Sequence, residues 1–146
     1  MDLFPNPGSL PVHSAPKPGD KLRIKVEGIP PNKDVHFSIR NPKHPKYKSF
    51  VDLRDAATRA MNGKKWYEGP VKINFTFYAP KLEKTMLDYL GGIADTLDGS
   101  HGMCFTYLPI VYQDDCQIVE IGKTEFIVSQ ETKYIVEIFF LALEIE

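Results

Sequence analysis

The sequence predicts an α+β fold: one domain with elements in the order β-α-β-α-β-β, its sheet mixed or antiparallel and its helices on one face. Three observations predict it. "KLRIKV" and "PVKINFTFY" alternate apolar and polar residues with the period of a half-buried strand. "SFVDLRDAATRAMNG" and "TMLDYLGGIADTLDG" repeat apolar residues at helical spacing. The chain then closes on "CQIVEIGKTEFIV" and "TKYIVEIFFLALEIE", two strand-like runs with no helical pattern between them. A length of 146 residues suits one domain with a real core.

Residues 1–20 carry five prolines and little periodicity, and read as an extended, poorly ordered arm. The first strand follows, with Leu22, Ile24 and Val26 inward and Lys21, Arg23 and Lys25 outward. Next comes the proline-punctuated loop "GIPPNKDVHFSIRNPKHPKYK". In the first helix Ser49 and Asp52 form a capping-box pattern, Phe50, Leu53, Ala57 and Ala60 make the apolar stripe, and Gly63 is the stop. The second strand buries Val71, Ile73, Phe75 and Phe77 against an outer row of Lys72, Asn74, Thr76 and Tyr78. In the second helix the stripe is Leu87, Leu90, Ala94 and Leu97, and "SHGMCFTYLP" after it is a loop. "SQE" reads as a hairpin connection between the last two strands, and the final strand, apolar on both faces, belongs at the centre of the sheet or in a subunit interface.

Composition narrows the function. No apolar run approaches the ~20 residues that span a bilayer, and the start lacks the pattern of a secretory signal, so no membrane is expected and the cytoplasm is the default. Cys104 and Cys116 fit no metal spacing and read as free thiols. The net charge of −1 hides a split: residues 1–72 hold 14 Lys and Arg against 7 Asp and Glu, residues 73–146 hold 4 against 12. Either a cationic surface for a polyanion lies beside an acidic site, or opposite charges attract one another within the fold or between subunits.

The chemistry-bearing residues are acidic. Asp88 and Asp95 are seven apart and share a helix face, but about 10 Å of helical rise separates them, too far to share one ion. A Mg²⁺ site would pair one helix carboxylate with one from "QDD", Asp114 or Asp115. Each has a plainer reading: Thr85-x-x-Asp88 is a capping-box pattern, and Asp114 and Asp115 suit a polar turn before a strand. Gly91 and Gly92 cost roughly 1 kcal/mol each in a helix interior, so a close neighbour, a helix crossing at a dimer interface or a ligand should compensate, unless the helix breaks there.

These residues resemble the RusA family of Holliday-junction resolvases, small dimeric Mg²⁺-dependent endonucleases with a D-x-D-N-x-x-K motif, then D-A-L, then a D-D-x-Q-[VI] strand. "LDYL" supplies the second Asp of the first motif as Asp88, "DTL" is similar to D-A-L through Asp95, and "DDCQI" matches the last motif through Asp114, Asp115 and Gln117. "IPPN" resembles the family's loop after the first strand. The resemblance covers residues 21–146, which it implies are a nuclease domain, and leaves out the arm at 1–20. Met86, Tyr89 and Gly92 stand where the family has its first Asp, its Asn and its catalytic Lys.

The resemblance implies an endonuclease that resolves branched DNA as a homodimer, by Mg²⁺-dependent phosphodiester hydrolysis with Mn²⁺ able to substitute. Asp88, Asp115 and Asp95 would be catalytic, and Asp88, Asp115 and Asp114 would hold the metal. Lys33, Arg40, Lys43, Lys46 and Lys48 would track phosphates, and Lys81 or Lys84 would stand in for the missing lysine. Two other classes compete: a catalytically impaired relative that binds DNA or protein without cutting, and a small assembly protein with no nucleic-acid role.

Overall fold

A computed structural model describes residues 13–32, 47–98 and 109–143. Strand β1 (Lys21–Glu27), helix α1 (Tyr47–Met61), strand β2 (Val71–Ala79), helix α2 (Met86–Asp98), a 3-10 turn (Asp115–Gln117), strand β3 (Ile118–Val128) and strand β4 (Lys133–Phe140) follow one another. The sheet is mixed, in the order β1-β4-β2-β3. β4 runs antiparallel to both β1 and β2, and β3 runs parallel to β2. The α+β class and the element order are those the sequence predicts.

Alternation in the strands determines which face is covered. β2 buries every second residue from Val71 to Ala79, and β4 buries Tyr134, Val136, Ile138 and Phe140 on the same side. Leu22, Ile24 and Val26 of β1 complete that face. Against it pack Leu53, Ala57 and Met61 of α1 and Leu90, Ile93 and Leu97 of α2, in one continuous core. The opposite face mixes charged residues with half-buried Tyr78, Ile135 and Phe139 and stays open to solvent, as sheets containing antiparallel pairs permit. There Lys21 meets Glu137 at 2.8 Å and Lys72 meets Glu120 at 3.5 Å, so basic residues of the first half are paired with acidic residues of the second.

The final strand is central, one of the two places that its two-sided apolar character suits. The expected "SQE" hairpin, however, does not form: β3 and β4 lie on opposite sides of β2. β4 hides four residues completely and needs a strand on each side, whereas β3 leaves Val119, Ile121 and Val128 exposed and takes the edge. The connection passes the end of β2, where Ser129 N–H donates to Ala79 O at 2.9 Å, and reaches β1, where Gly28 N–H donates to Thr132 O at 2.9 Å.

Both helices differ in detail from expectation. α1 already includes Tyr47 and Lys48, so Ser49 lies inside the helix and is not its cap. The extra residues are held by Tyr47 against Phe50 and by Lys48 Nζ on Asp52 Oδ2 at 2.7 Å. Gly63, at φ 80°, ends the helix as expected, with Asn62 at φ 50° before it. α2 is capped by Thr85, whose hydroxyl accepts from Asp88 N–H at 3.1 Å. It is turned so that Tyr89, Ile93 and Thr96 join Leu90 and Leu97 in the interior, leaving Leu87 74% exposed.

Part of the arm is held in place. His13 exchanges backbone hydrogen bonds with Gly63 and Lys65, Gly19 N–H donates to Phe140 O at 2.7 Å, and Pro16 is buried. Residues 1–12 lie outside the described part of the chain. No helix among the described residues is long and apolar enough to cross a membrane.

Candidate metal centre

Three carboxylates converge where the C-terminal half of α2 meets the 3-10 turn. Asp95, Asp98 and Asp115 each offer an oxygen, and the three oxygens lie within 4.8 Å of one another. Asp98 is fully buried, while Asp95 and Asp115 are half-buried, so the group opens to solvent on one side. Asp95 and Asp98, three apart on a helix, project from neighbouring positions on one surface.

The 3-10 turn delivers the third acid. Asp114 caps it by accepting from Cys116 N–H at 3.0 Å. Gln117 then locks it from both ends of one amide. Its Oε1 accepts from Gln113 N–H at 2.8 Å and Asp114 N–H at 3.0 Å. Its Nε2 donates to Tyr67 O at 2.9 Å and Gly69 O at 2.7 Å. The clamp ties the turn to the segment leading into β2 and leaves Asp115 aimed at α2.

Behind the acids lies Tyr112, fully buried, whose hydroxyl donates to Ala94 O at 2.9 Å. Ile110 and Val111 N–H groups both donate to Leu97 O, at 3.3 and 3.0 Å. This segment therefore packs along the last turns of α2 just before the chain reaches Asp115. Burial pushes the Tyr112 phenol well above its ordinary value, and Asp98, Asp115, Asp95 and Asp114 push it the same way. Cys116 is a free, exposed thiol, raised by its hydrogen bond to Asp114.

The donor set fits a hard divalent cation. If all three are ionised, each pair at this separation repels by roughly 3.5 kcal/mol or more at an effective dielectric near 20. A divalent ion turns that repulsion into attraction. Oxygens on opposite sides of Mg²⁺ lie about 4.2 Å apart, and across Ca²⁺ about 4.8 Å. Neighbouring ligands lie closer than opposite ones, so three oxygens all within 4.8 Å of one another are compatible with one shared ion, and all-oxygen ligation disfavours zinc and copper.

Of the residues expected from the sequence, Asp95 and Asp115 come together. Asp88 lies outside the cluster: it is exposed in the first turn of α2, two helical turns from Asp95, with Thr85 capping its N–H. Asp114 shapes the turn. Lys48 pairs with Asp52, Lys81 approaches Glu83 at 3.7 Å, and Lys84 is exposed. Lys33, Arg40, Lys43 and Lys46 lie outside the described residues. Asp98 and Tyr112 were not anticipated. The Asp95-x-x-Asp98 spacing was a legible signal for the first, while nothing local marks Tyr112.

Gly92 answers the question raised by the paired glycines. A Cβ there would fall inside contact distance of the Pro31 carbonyl and 2.7 Å from Asn32 Cα. The compensating neighbour is the chain's own "IPPN" loop. No protein-family model matches this chain, and no curated protein matches it.

Proposed function

We propose that the protein is a divalent-metal-dependent phosphodiesterase acting on branched DNA, with Asp95, Asp98 and Asp115 as the metal ligands. The observation that carries this reading is the convergence of three carboxylate oxygens within 4.8 Å, one of them on a fully buried residue. The "DDCQI" resemblance supplies the substrate class, and the basic residues Lys33, Arg40, Lys43 and Lys46 of the sequence after β1 are in keeping with a polyanion. A Mg²⁺ or Mn²⁺ ion bound there would neutralise a phosphodiester oxygen and acidify a water. The chain's own contribution is placement: Gln117 fixes the turn bearing Asp115, and Tyr112 fixes α2 beside Asp95. Lys81 and Lys84, before α2, would neutralise flanking phosphates. The Lys81 contact with Glu83 is a surface pair, worth at most about 1 kcal/mol and easily exchanged.

A second reading is a DNA- or protein-binding module without catalysis. Gly92 favours it: where the resembled motif has its lysine, the Pro31–Asn32 backbone occupies the space a side chain would need. One experiment separates the two. A four-way junction incubated with the protein and Mg²⁺ or Mn²⁺ should yield paired, symmetric nicks, and Asp115→Asn should bind the junction without nicking it. Binding without nicks by the unaltered protein establishes the second reading and rejects the first.

A further inference from the structure

Asp115 belongs to two features at once. Besides its place in the acid cluster, it lines an open groove of about 300 Å³ between α2 and β3. The other walls are aliphatic: Leu87, Leu90 and Ala94 from α2, and Ile118 and Ile121 from β3. Leu87 is 74% exposed and Ile121 53% exposed, so a concave apolar surface faces water directly beside the acids. Such a surface gains free energy when an apolar body covers it, and its volume is at the lower end for small-ligand sites, about 300–1,000 Å³.

We infer that this groove receives an unpaired nucleobase next to the scissile phosphate, so the substrate class is DNA unstacked at the point of cleavage, not continuous duplex. The inference rests on the phosphodiesterase reading. Because Asp115 is common to both features, a phosphodiester at the acid cluster stands at the mouth of the groove. The groups that flank a phosphate in DNA are a sugar and a base. A base stacked in duplex cannot leave without an energetic penalty, whereas one at a branch is already partly released. Flat base faces suit aliphatic walls, and the lack of a dense polar lining predicts tolerance of base identity. The specificity this gives is for structure over sequence.

The test uses the full chain. Nick positions are first mapped on a four-way junction with Mg²⁺; 2-aminopurine is then placed beside the cleaved phosphate and, as a control, several nucleotides away. With Ca²⁺ replacing Mg²⁺, binding should raise fluorescence only at the adjacent position. Leu87→Ser at the lip and Ala94→Leu on the wall should each abolish that rise and slow nicking by about tenfold or more, the usual scale for apolar-pocket changes. Mn²⁺ affinity should stay unchanged in Leu87→Ser. If the unaltered protein nicks but the probe stays silent, or both variants nick at the unaltered rate, the groove inference is overturned and the phosphodiesterase reading stands. If the unaltered protein neither binds Mn²⁺ nor nicks, both fall. If Leu87→Ser converts a dimer to a monomer in sedimentation, the groove belongs to a second copy and the inference is overturned.

Discussion

The Tyr112 hydroxyl donates to the carbonyl oxygen of Ala94 at 2.9 Å, fixing the loop before the 3-10 turn to the residue that precedes Asp95. Two acids far apart in sequence are thus located by one buried phenol between them. Asp95 sits one residue after its acceptor and Asp115 three residues after its donor. Tyr112→Phe removes the bond and keeps the ring. It should cost about 1 kcal/mol of stability, the usual net value of one hydrogen bond, and weaken Mn²⁺ binding. Denaturant unfolding with and without Mn²⁺ measures both.

The same phenol predicts an alkaline limit. Burial and the nearby acids raise Tyr112 well above its ordinary value of about 10, and burial raises Tyr134 likewise. A group whose folded-state value is raised binds its proton more tightly when folded, so its contribution is complete below pH ~10 and is lost as pH climbs from there through the folded value. Stability should therefore fall above pH 10. Tyr112→Phe should flatten part of that fall and Tyr134→Phe a further part, Tyr67 and Tyr89 being raised as well; unfolding midpoints between pH 8 and 11.5 provide the measurement.

Divalent cations should stabilise the fold. At a concentration about 100 times the dissociation constant, a native-state ligand adds about 2.7 kcal/mol, and for a domain of this size each kcal/mol moves the midpoint by roughly 2–4 °C. A rise of about 5–10 °C with saturating Mn²⁺ is expected. Asp98→Asn and Asp115→Asn should erase the response. Each variant's response to Mn²⁺ is read against its own metal-free midpoint, since the substitution also changes the charge balance within the cluster.

How far these features could be read from the sequence depended on their range. The alternation of β2 and the two-sided apolarity of β4 are local properties, so strand identity and the central place of β4 were legible. The side of β2 on which β3 lies was not: that choice depends on which strand hides more surface, a comparison between elements. Asp115 was legible as an acid at a strand entrance. Its partner Asp98 was marked only by its spacing from Asp95, because its burial is created when residues 110–112 fold back over α2. Gly92 advertised a close neighbour by its cost in a helix, but not which neighbour.

Gln117 should matter more than its half-exposed position suggests. Gln117→Ala deletes four hydrogen bonds, leaving the Tyr67 and Gly69 carbonyls and the Gln113 and Asp114 N–H groups to water. With partial solvent replacement the loss should be about 2–3 kcal/mol, and Mn²⁺ affinity should fall because Asp115 is no longer held. Gln117→Glu keeps the acceptor but sets a carboxylate against two carbonyl oxygens, and should recover neither stability nor metal binding. Calorimetric titration of the two variants against Mn²⁺ decides the point.

Gly92→Ala sets two effects against each other. In an exposed helix interior the change would stabilise by roughly 1 kcal/mol. Here the new methyl group would meet the Pro31 carbonyl and Asn32 Cα, which are backbone atoms and cannot rotate away as a side chain would. Overpacking of this kind costs typically 1–3 kcal/mol, and relief would require the loop after β1 to lift off α2. Net destabilisation of about 1 kcal/mol or more is expected, seen as a lower denaturation midpoint. Placing lysine there to restore the resembled motif should be worse still, because its Cβ meets the same atoms. A stable Gly92→Lys variant with enhanced nicking would show that the loop yields and that the backbone contact is not what fixes glycine at this position.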